Sequence, residues 1–372
     1  MTAAAGGRIV ELREISLPLV APFRTSFGVQ TSRRILLARA ELDGVQGWGE
    51  CVAGDEPTYS AEFVDGAALV IRAELLPRLS AQGAVAAGSV SDVLAGVKGH
   101  AMAKAALEMA LLDAELRATG RSFAAHLGAT RTRIPSGVSV GIHPTLDDLL
   151  GAVSRYVVEG YARIKLKIEP GWDLEPVAAV RALIGPDLPL QVDANTAYTR
   201  DDIDHLCRLD AFDLLLVEQP LPEDDLLGHA QLAARSATPV CLDETIVSVT
   251  SAADAIELGA CEVVNIKPGR VGGYLTARRI HDLCVDRGVP AWCGGMLETG
   301  IGRAANAGLA ALDGFTLPGD ISASARFWER DIVVGPITVT DGQVAVPTGP
   351  GFGFEVDLDV LDEVTTWVER LT

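Results

Sequence analysis

The sequence predicts an α/β protein in which a (β/α) barrel of eight parallel strands follows an α+β domain. From Ile134 onward, short apolar runs alternate with helical stretches, a pattern typical of parallel strands joined by crossover helices. Four of these runs end in a charged residue, and successive charges stand 24 or 25 residues apart: Asp193, Glu218, Asp243 and Lys267. Because (β/α) barrels build active sites from the C-terminal ends of successive strands, this spacing favours a barrel.

The region before the barrel has the pattern of an α+β domain. Residues 8–53 are predicted to form antiparallel sheet, with an Asp-Gly pair at 43–44 as the turn of a hairpin. Helices are predicted near 60–80 and 101–119, and the second of these is rich in good helix formers. A run of strands followed by a run of helices indicates α+β organisation.

Eight strand candidates define the predicted barrel. They are 134–141, 163–168, 188–193, 214–218, 239–243, 262–267, 290–294 and 315–317. Helical stretches such as 145–159, 174–184 and 273–287 lie between them. The residues after 318 resemble a loop rather than an eighth helix.

The C-terminal segment is predicted to return to the first domain. It contains a hairpin pattern at 337–346 and a helix pattern at 358–370. The predicted domains are therefore residues 1–130 and 131–325, with residues 326–372 rejoining the first.

Composition excludes several classes of partner. A net charge of −19 argues against nucleic acid and anionic membranes, since both require basic patches. No apolar run approaches the length of a membrane span, and the first seven residues lack the basic start and apolar core of a signal peptide. The six cysteines form no C-x-x-C pair and read as reduced core residues. We therefore predict a cytoplasmic protein without nucleic-acid or membrane partners.

Three carboxylates at successive strand ends predict a metal site. Asp193, Glu218 and Asp243 offer only oxygen ligands, and this selects Mg²⁺, with Mn²⁺ as a substitute, over zinc or copper. Asn195 and Glu244 lie beside these residues and are predicted to orient the ligands.

Lysines on both sides of that site predict proton abstraction. Lys165 and Lys167 point the same way from one strand, so at least one pKa is expected to fall through charge repulsion. Lys267 is expected to face Lys167 across the barrel with the metal between them. A substrate carboxylate on the metal would then present its α-proton to a base on each face, and the metal would stabilise the resulting enediolate.

The segment after the seventh strand is rich in glycine. Gly294 and Gly295 end that strand and could let a ligand approach the backbone. Phe327 and Trp328 follow the eighth strand, where they are expected either to wall a pocket or to pack between domains.

These motifs resemble the enolase superfamily in its muconate-lactonising subgroup. Lys165 and Lys167 match the family's Lys-x-Lys motif, the three carboxylates match its metal ligands, and Lys267 matches the lysine of its sixth strand. The seventh strand reads Ala-Trp-Cys-Gly-Gly, without the catalytic histidine of the mandelate-racemase branch. Five further segments resemble the o-succinylbenzoate synthase / N-succinylamino acid racemase family: 22–28, 47–51, 99–104, 137–142 and 317–324.

The resemblance implies a fold, a reaction and roles for residues. The fold is a (β/α)7β TIM-like barrel with an α+β capping domain formed by the N-terminal region and the C-terminal segment. Lys167 and Lys267 would be the two acid–base catalysts, and Arg270 would tune the second lysine. The implied substrate-pocket residues are Phe23, Tyr59, Ser139, Gly294, Met296, Leu297 and Phe327.

The implied activity is dehydration to o-succinylbenzoate in menaquinone biosynthesis, together with N-succinylamino acid racemisation. The substrate would be a small carboxylate, and family analogy implies a homo-oligomer. A cycloisomerase or a dipeptide epimerase is the alternative, although Ser322-Ala323-Ser324 replaces the acidic residues typical of epimerases. A non-catalytic barrel that binds an acidic metabolite is a distant alternative, because all five lysine and ligand positions are intact.

Overall fold

The N-terminal region folds as an antiparallel sheet packed on helices. The computed structural model describes residues 6–371. The predicted absence of a signal peptide concerns mainly residues 1–5, which lie outside the described residues. The sheet contains β1 (Arg8–Thr25), β2 (Gly28–Leu42) and β3 (Val45–Cys51). The helices after it are α1 (Val64–Val70), α2 (Leu76–Ser80), α3 (Val90–Val93), α4 (Ala101–Ala118) and α5 (Phe123–Leu127), with a π-helical turn at Ile71–Leu75 between α1 and α2.

Helix α4 packs directly on the sheet because β3 carries small residues. A Cβ added to Gly49 would lie 2.0 Å from the carbonyl oxygen of Ala106, so only glycine permits this approach. The apolar residues of this sheet, of α4 and of the barrel form one continuous core.

The barrel is a parallel sheet whose strands alternate with helices. After β4 (Arg133–Pro135), its strands are β5 (Gly137–Val140), β6 (Arg163–Lys167), β7 (Leu190–Asp193), β8 (Val217–Glu218), β9 (Val240–Leu242), β10 (Val263–Ile266) and β11 (Ala291–Cys293). The helices are α6 (Leu146–Val158), α7 (Leu174–Ile184), α8 (Ile203–Leu206), α9 (Leu226–Ala233), α10 (Val249–Glu257), α11 (Tyr274–Arg287) and α12 (Gly300–Ala310).

Residues 315–319 close the barrel. The backbone N–H of Thr316 donates to Ala291 in β11, and the N–H of Gly137 in β5 donates to Gly319. The predicted eighth strand thus bridges the first and seventh strands, although it forms isolated bridges rather than a long ladder. The architecture is a TIM-like barrel with a capping domain, as predicted.

The C-terminal segment differs from its prediction in two places. It contains β12 (Val333–Val334), β13 (Val339–Thr340), β14 (Gln343–Ala345), β15 (Glu355–Val356), α13 (Leu358–Val364) and β16 (Thr365–Arg370). The hairpin of β13 and β14 pairs with β4 at the entry to the barrel, not with the N-terminal sheet.

The predicted helix at 358–370 is the second difference. It ends at Val364, and β16 pairs antiparallel with β1 at the edge of the N-terminal sheet. Residues 365–368 are threonine, tryptophan and valine, which favour strands, and β1 offers them backbone partners that a longer helix would leave unused. No helix within residues 6–371 combines the length and the apolar character needed to cross a bilayer.

Candidate active site

The predicted lysines and carboxylates meet at the C-terminal edge of the barrel because their strands pair in register. Lys167 lies opposite Asp193 in the pairing of β6 with β7, and Asp193 lies opposite Glu218 in the pairing of β7 with β8. Asp243 and Lys267 follow directly after β9 and β10. All five side chains are buried.

Lys167 contacts the first predicted metal ligand. Its Nζ lies 2.6 Å from Oδ2 of Asp193 and 2.6 Å from Oδ1 of Asn195. Burial by itself would raise the pKa of Asp193, but the charges of Lys167 and Lys165 outweigh it and hold this pKa below its usual range. Asp193 is therefore a charged carboxylate that fixes the position of Lys167.

Lys165 is surrounded by three carboxylates. Its Nζ lies 2.5 Å from Oδ2 of Asp320, 3.0 Å from Oε2 of Glu218 and 3.2 Å from Oδ2 of Asp193. Burial would lower the pKa of Lys165, but these carboxylates outweigh burial and raise it. The expected fall of a lysine pKa was therefore wrong for Lys165, because the sequence did not reveal that Asp320 would lie beside it.

Glu218 contacts one cationic group, Lys165, and also feels the negative charge of Asp193. Its Oε1 accepts a hydrogen bond of 2.8 Å from Nδ2 of Asn265, and Oε2 contacts Lys165. Burial, together with the charge of Asp193, raises the pKa of Glu218 to about 7. Repulsion between two buried carboxylates is a condition that a bound cation would relieve.

Lys267 belongs to a second polar cluster, which also contains Asp243, Tyr59 and Arg270. The first cluster contains Lys165, Lys167, Asp193 and Glu218. Its Nζ lies 2.7 Å from Oδ2 of Asp243 and 3.1 Å from the hydroxyl of Tyr59. Burial would lower the pKa of Lys267, but Asp243 raises it well above its usual range. Lys267 is therefore an ammonium group in this arrangement.

Arg270 donates hydrogen bonds to two members of the second cluster. Its guanidinium donates to Oδ1 of Asp243 and, at 3.0 Å, to the hydroxyl of Tyr59. Two further hydrogen bonds, to the carbonyls of Ile246 and Asn265, fix its position. Arg270 thus acts on both groups that contact Lys267.

Asn195 and Glu244 lie between the two clusters. Nδ2 of Asn195 donates to Oε1 of Glu244 over 2.9 Å, while Oε2 of Glu244 is buried without a partner among the described residues. Burial, followed by the charges of Asp243 and Asp193, raises the pKa of Glu244 well above its usual range. These contacts suit the orienting role predicted for both residues, which stays a prediction.

A cavity opens onto these lysines. It is lined by Phe23, Gly137, Ser139, Lys165, Lys167, Lys267, Gly295, Leu297, Arg303, Asp320, Ser322 and Phe327. Four of the predicted pocket residues therefore lie on its wall: Phe23, Ser139, Leu297 and Phe327. Their contact with substrate stays a prediction.

The other predicted pocket residues lie elsewhere. Met296 is half-buried and packs against the core. Tyr59 is not among the lining residues, although its hydroxyl lies 3.1 Å from Nζ of Lys267 and 3.0 Å from the guanidinium of Arg270. Gly294 lies behind the wall, where an added Cβ would stand 2.2 Å from Oδ1 of Asn265 and 2.8 Å from Cε of Lys267. Its absent side chain therefore makes room for Lys267, and its contact with substrate stays a prediction.

The donor set fits a hard divalent cation. Asp193, Glu218 and Asp243 supply only carboxylate oxygens, as Mg²⁺ prefers, and a cation would relieve the repulsion felt by Glu218. Within the described range, 6–371, no three acidic, cysteine or histidine side chains are arranged as a metal site. Lysine and arginine nitrogens contact the oxygens of these carboxylates. Metal ligation by Asp193, Glu218 and Asp243 stays a prediction.

Three charged residues of the site were missed in the sequence. Asp320 follows the eighth strand candidate by three residues, so its place near a strand end was a usable signal. It pairs with Lys165 and, at 2.8 Å, with Arg163, which begins β6. Arg303 lines the cavity from the first turn of α12. Neither arginine stands at the C-terminal end of a strand, so the strand-end pattern could not identify them.

Family models match both parts of the chain. Residues 9–128 match the model described as the mandelate racemase / muconate lactonizing enzyme N-terminal domain, and residues 148–360 match the one described as enolase C-terminal domain-like. The second match covers more than half of the chain.

Characterised relatives match along nearly the whole length. An N-succinylamino acid racemase from an Amycolatopsis species is 61% identical, over 96% of this chain and 97% of that protein. An o-succinylbenzoate synthase from Geobacillus kaustophilus is 46% identical, over 97% and 96% respectively. The solved structure of an enolase superfamily member from Listeria innocua superposes with a TM-score of 0.93 at 40% identity, covering 98% of each chain.

Proposed function

Because the chain belongs to the o-succinylbenzoate synthase / N-succinylamino acid racemase family of the enolase superfamily, we propose that it removes the proton α to a substrate carboxylate and uses this step in two reactions. The first is dehydration to o-succinylbenzoate, and the second is racemisation of N-succinylamino acids. One relative named N-succinylamino acid racemase and another named o-succinylbenzoate synthase match the chain over nearly its full length, so the protein is an enzyme of the lyase or isomerase class.

One observation carries the proposal. Lys167 and Lys267 line the same cavity from strands on different sides of the barrel, and each contacts a different predicted metal ligand. A substrate carboxylate held at Asp193, Glu218 and Asp243 would lie between two nitrogens that can exchange protons. This is the arrangement that proton transfer on either face of an α-carbon requires.

The residues of the chain divide the dehydration between them. Lys167, as a neutral amine, takes the α-proton. The carbon–oxygen bond of the β-hydroxyl group then breaks, and the departing hydroxide receives the proton back from Lys167 and leaves as water. Lys267 remains an ammonium group and stabilises the negative charge of the intermediate, a role that suits its raised pKa.

Racemisation asks more of Lys267. One lysine removes the α-proton, and the other, as an ammonium group, delivers a proton to the opposite face. The roles reverse for the other enantiomer, so Lys267 must also act as a neutral base. Arg270, which contacts Asp243 and Tyr59, opposes the rise of the Lys267 pKa by its positive charge.

The cofactor is proposed to be Mg²⁺, held by Asp193, Glu218 and Asp243. When bound, it would hold the substrate carboxylate and stabilise the negative charge that develops there. Activity should vanish with a chelator and return with Mg²⁺ or Mn²⁺. Activity that survives complete removal of divalent metal would contradict this assignment.

The place of action is also part of the proposal. All six cysteines are free thiols, which supports a reducing compartment such as the cytoplasm, where menaquinone precursors would be processed. We expect a homo-oligomer, and sedimentation at micromolar concentration would show whether the chain is a monomer instead.

The experiment that tests the function is a kinetic comparison. The Mg²⁺-loaded protein would be assayed on the cyclohexadiene precursor of o-succinylbenzoate by loss of ultraviolet absorbance, and on an N-succinylamino acid by change of optical rotation. A kcat/KM of roughly 10⁴–10⁸ M⁻¹s⁻¹ in the first assay supports the synthase reaction. A value orders of magnitude lower, with fast racemisation, would leave the racemase reaction only, and failure of both would overturn the proposal.

A further inference from the structure

Four cationic side chains line the cavity, and one of them differs from the rest. Lys165, Lys167 and Lys267 each contact at least one carboxylate. The fourth, Arg303, takes part in no ion pair with any carboxylate of residues 6–371, although it is only 2% exposed. A buried guanidinium without an anion is unfavourable, so this arrangement points to a ligand.

The contacts of Arg303 hold it in place without neutralising it. Its Nε donates to the carbonyl of Glu298 over 2.9 Å, and its Nη1 donates to the carbonyl and hydroxyl of Ser322 over 2.6 and 3.2 Å. The guanidinium carbon lies 5.1 Å from the centre of the Phe327 ring. Three neutral oxygens and one ring thus orient the side chain.

One nitrogen of Arg303 remains available. Its Nη2 donates to no acceptor of the described residues, and it is not among the side-chain nitrogens that are sealed from solvent. Arg303 lines the cavity, and Nη2 is the one side-chain nitrogen of Arg303 without an acceptor in the described part of the chain.

A second guanidinium strengthens the positive character of this wall. Arg326 lies with its guanidinium carbon 4.8 Å from the Phe327 ring and 5.7 Å from that of Phe23. It donates only to the carbonyl of Ser139, over 3.3 Å, and no carboxylate within residues 6–371 pairs with it. Phe327, which lines the cavity, therefore lies beside two guanidinium groups that no carboxylate of residues 6–371 neutralises.

We propose that Arg303 determines substrate specificity by binding the second carboxylate of a dicarboxylate substrate. The first carboxylate would lie at Asp193, Glu218 and Asp243 with the metal, and the second would form an ion pair with Arg303. This inference rests on the proposed function, in which both substrates carry a succinyl carboxylate. It adds the residue that distinguishes such substrates from related monocarboxylates.

Binding of two matched compounds tests the inference. N-succinyl-L-phenylalanine and N-acetyl-L-phenylalanine share the amide and the α-carboxylate, but only the first has a second carboxylate. Dissociation constants would be measured by calorimetry with Mg²⁺ present, in Lys167→Ala protein so that racemisation is suppressed. Protein with Arg303 intact should bind the succinyl compound more tightly than the acetyl compound. Adding Arg303→Met should weaken binding of the succinyl compound alone by about 10- to 100-fold, or about 1.4–2.8 kcal/mol.

Further variants separate recognition from structure. Arg303→Met also loses the hydrogen bonds to Glu298 and Ser322 and could distort the cavity wall. Such distortion would weaken the binding of both compounds alike, and that result would overturn the inference. Arg303→Lys keeps a positive charge and should restore part of the preference. Arg121→Met, at an exposed position, is the matched control for loss of one arginine and should leave both constants unchanged.

Kinetics distinguish failure of this inference from failure of the proposed function. If neither compound is turned over by the protein with Lys167 intact, the proposed function fails for racemisation, yet the binding comparison still reports on Arg303. If turnover is fast and Arg303→Met lowers kcat/KM equally for both compounds, the function stands and the specificity role is wrong.

Discussion

Lys165 and Asp320 form an ion pair that joins the second strand of the barrel to the segment that closes it. Nζ of Lys165 lies 2.5 Å from Oδ2 of Asp320, and both side chains are almost completely buried. Burial alone would raise the pKa of Asp320, but Lys165 and Arg163 outweigh it and lower that pKa. The pair therefore links the closure of the barrel to the charge of the catalytic site.

Asp320→Asn should destabilise the fold and change the site together. The amide keeps the shape but removes the charge that compensates Lys165 and Arg163, and loss of one partner of a buried pair costs about 3 kcal/mol of unfolding free energy. Urea denaturation at pH 7 would measure this. Glu363→Gln breaks the exposed pair with Arg330 and should change stability little. Equal stabilities of the two variants would contradict a structural role for Asp320.

Removal of either catalytic lysine should separate proton exchange from racemisation. With Lys167→Ala or Lys267→Ala, one face of the α-carbon loses its base, so racemisation should fall by more than about 10³-fold. In D₂O, each variant should still exchange the α-proton of one enantiomer, and the two variants should act on opposite enantiomers. Proton NMR measures the α-proton exchange of each enantiomer. Exchange of both enantiomers by a single variant would show that the lysine it lacks is not the base for the second face. Exposed Lys98 provides the control, as Lys98→Met.

Arg270→Met should affect racemisation more than dehydration. Arg270 opposes the rise in the Lys267 pKa that Asp243 produces, so its removal makes neutral Lys267 rarer. Dehydration needs Lys267 as a cation and should lose less. We expect the ratio of racemase to synthase kcat/KM to fall about 10-fold or more, which is 1.4 kcal/mol in the barrier difference. An unchanged ratio would mean that Arg270 only supports the fold.

Gly294→Ala should inactivate the enzyme without unfolding it. The added Cβ would stand 2.8 Å from Cε of Lys267 and even closer to Asn265, so the lysine must shift. A displacement of about 1 Å can lower the rate by about 100-fold. Gly96→Ala, where an added Cβ meets nothing within 4 Å, is the matched control for activity and thermal unfolding. Full activity of Gly294→Ala would show that Lys267 tolerates this shift.

Glu108→Gln should change how stability depends on pH. Burial raises the pKa of Glu108 to about 7, and its carboxylate accepts a hydrogen bond from the N–H of Leu275 at the start of α11. Between about pH 4.5 and 7 the unfolded chain releases this proton while the folded protein keeps it, so Glu108 lowers stability as pH rises.

The glutamine variant lacks that titration. Its unfolding free energy relative to the wild type should therefore increase between pH 5 and pH 8, by at most about 3 kcal/mol. Denaturation at several pH values would measure the difference. A difference that stays constant with pH would show that Glu108 is already charged in the folded protein at pH 5.

The strand-end pattern was sufficient to predict the barrel and to place three carboxylates and two lysines at one edge of it, while their metal-binding and catalytic roles stay predictions. Strand ends are encoded locally, because an apolar run followed by a charge at a regular interval needs no knowledge of distant residues. The resemblance to known families added the capping domain and the reaction, and similarity along nearly the whole chain supports both.

Other features depended on contacts between distant parts of the chain. The pKa of Lys165 rises because Asp320 lies 155 positions further along the chain, and the predicted helix at 358–370 ends early because the edge of β1 accepts residues 365–370 as a strand. Arg303 lacks a carboxylate partner among residues 6–371 only because of where the fold places it.

The sequence by itself therefore determined which residue types stand at the strand ends, and so the class of chemistry. The tertiary structure decided which charges neutralise one another and which arginine is left for a ligand. The physical reason is that electrostatic energy in a buried site depends on distances of a few ångströms between side chains, and these distances are set only when the barrel closes.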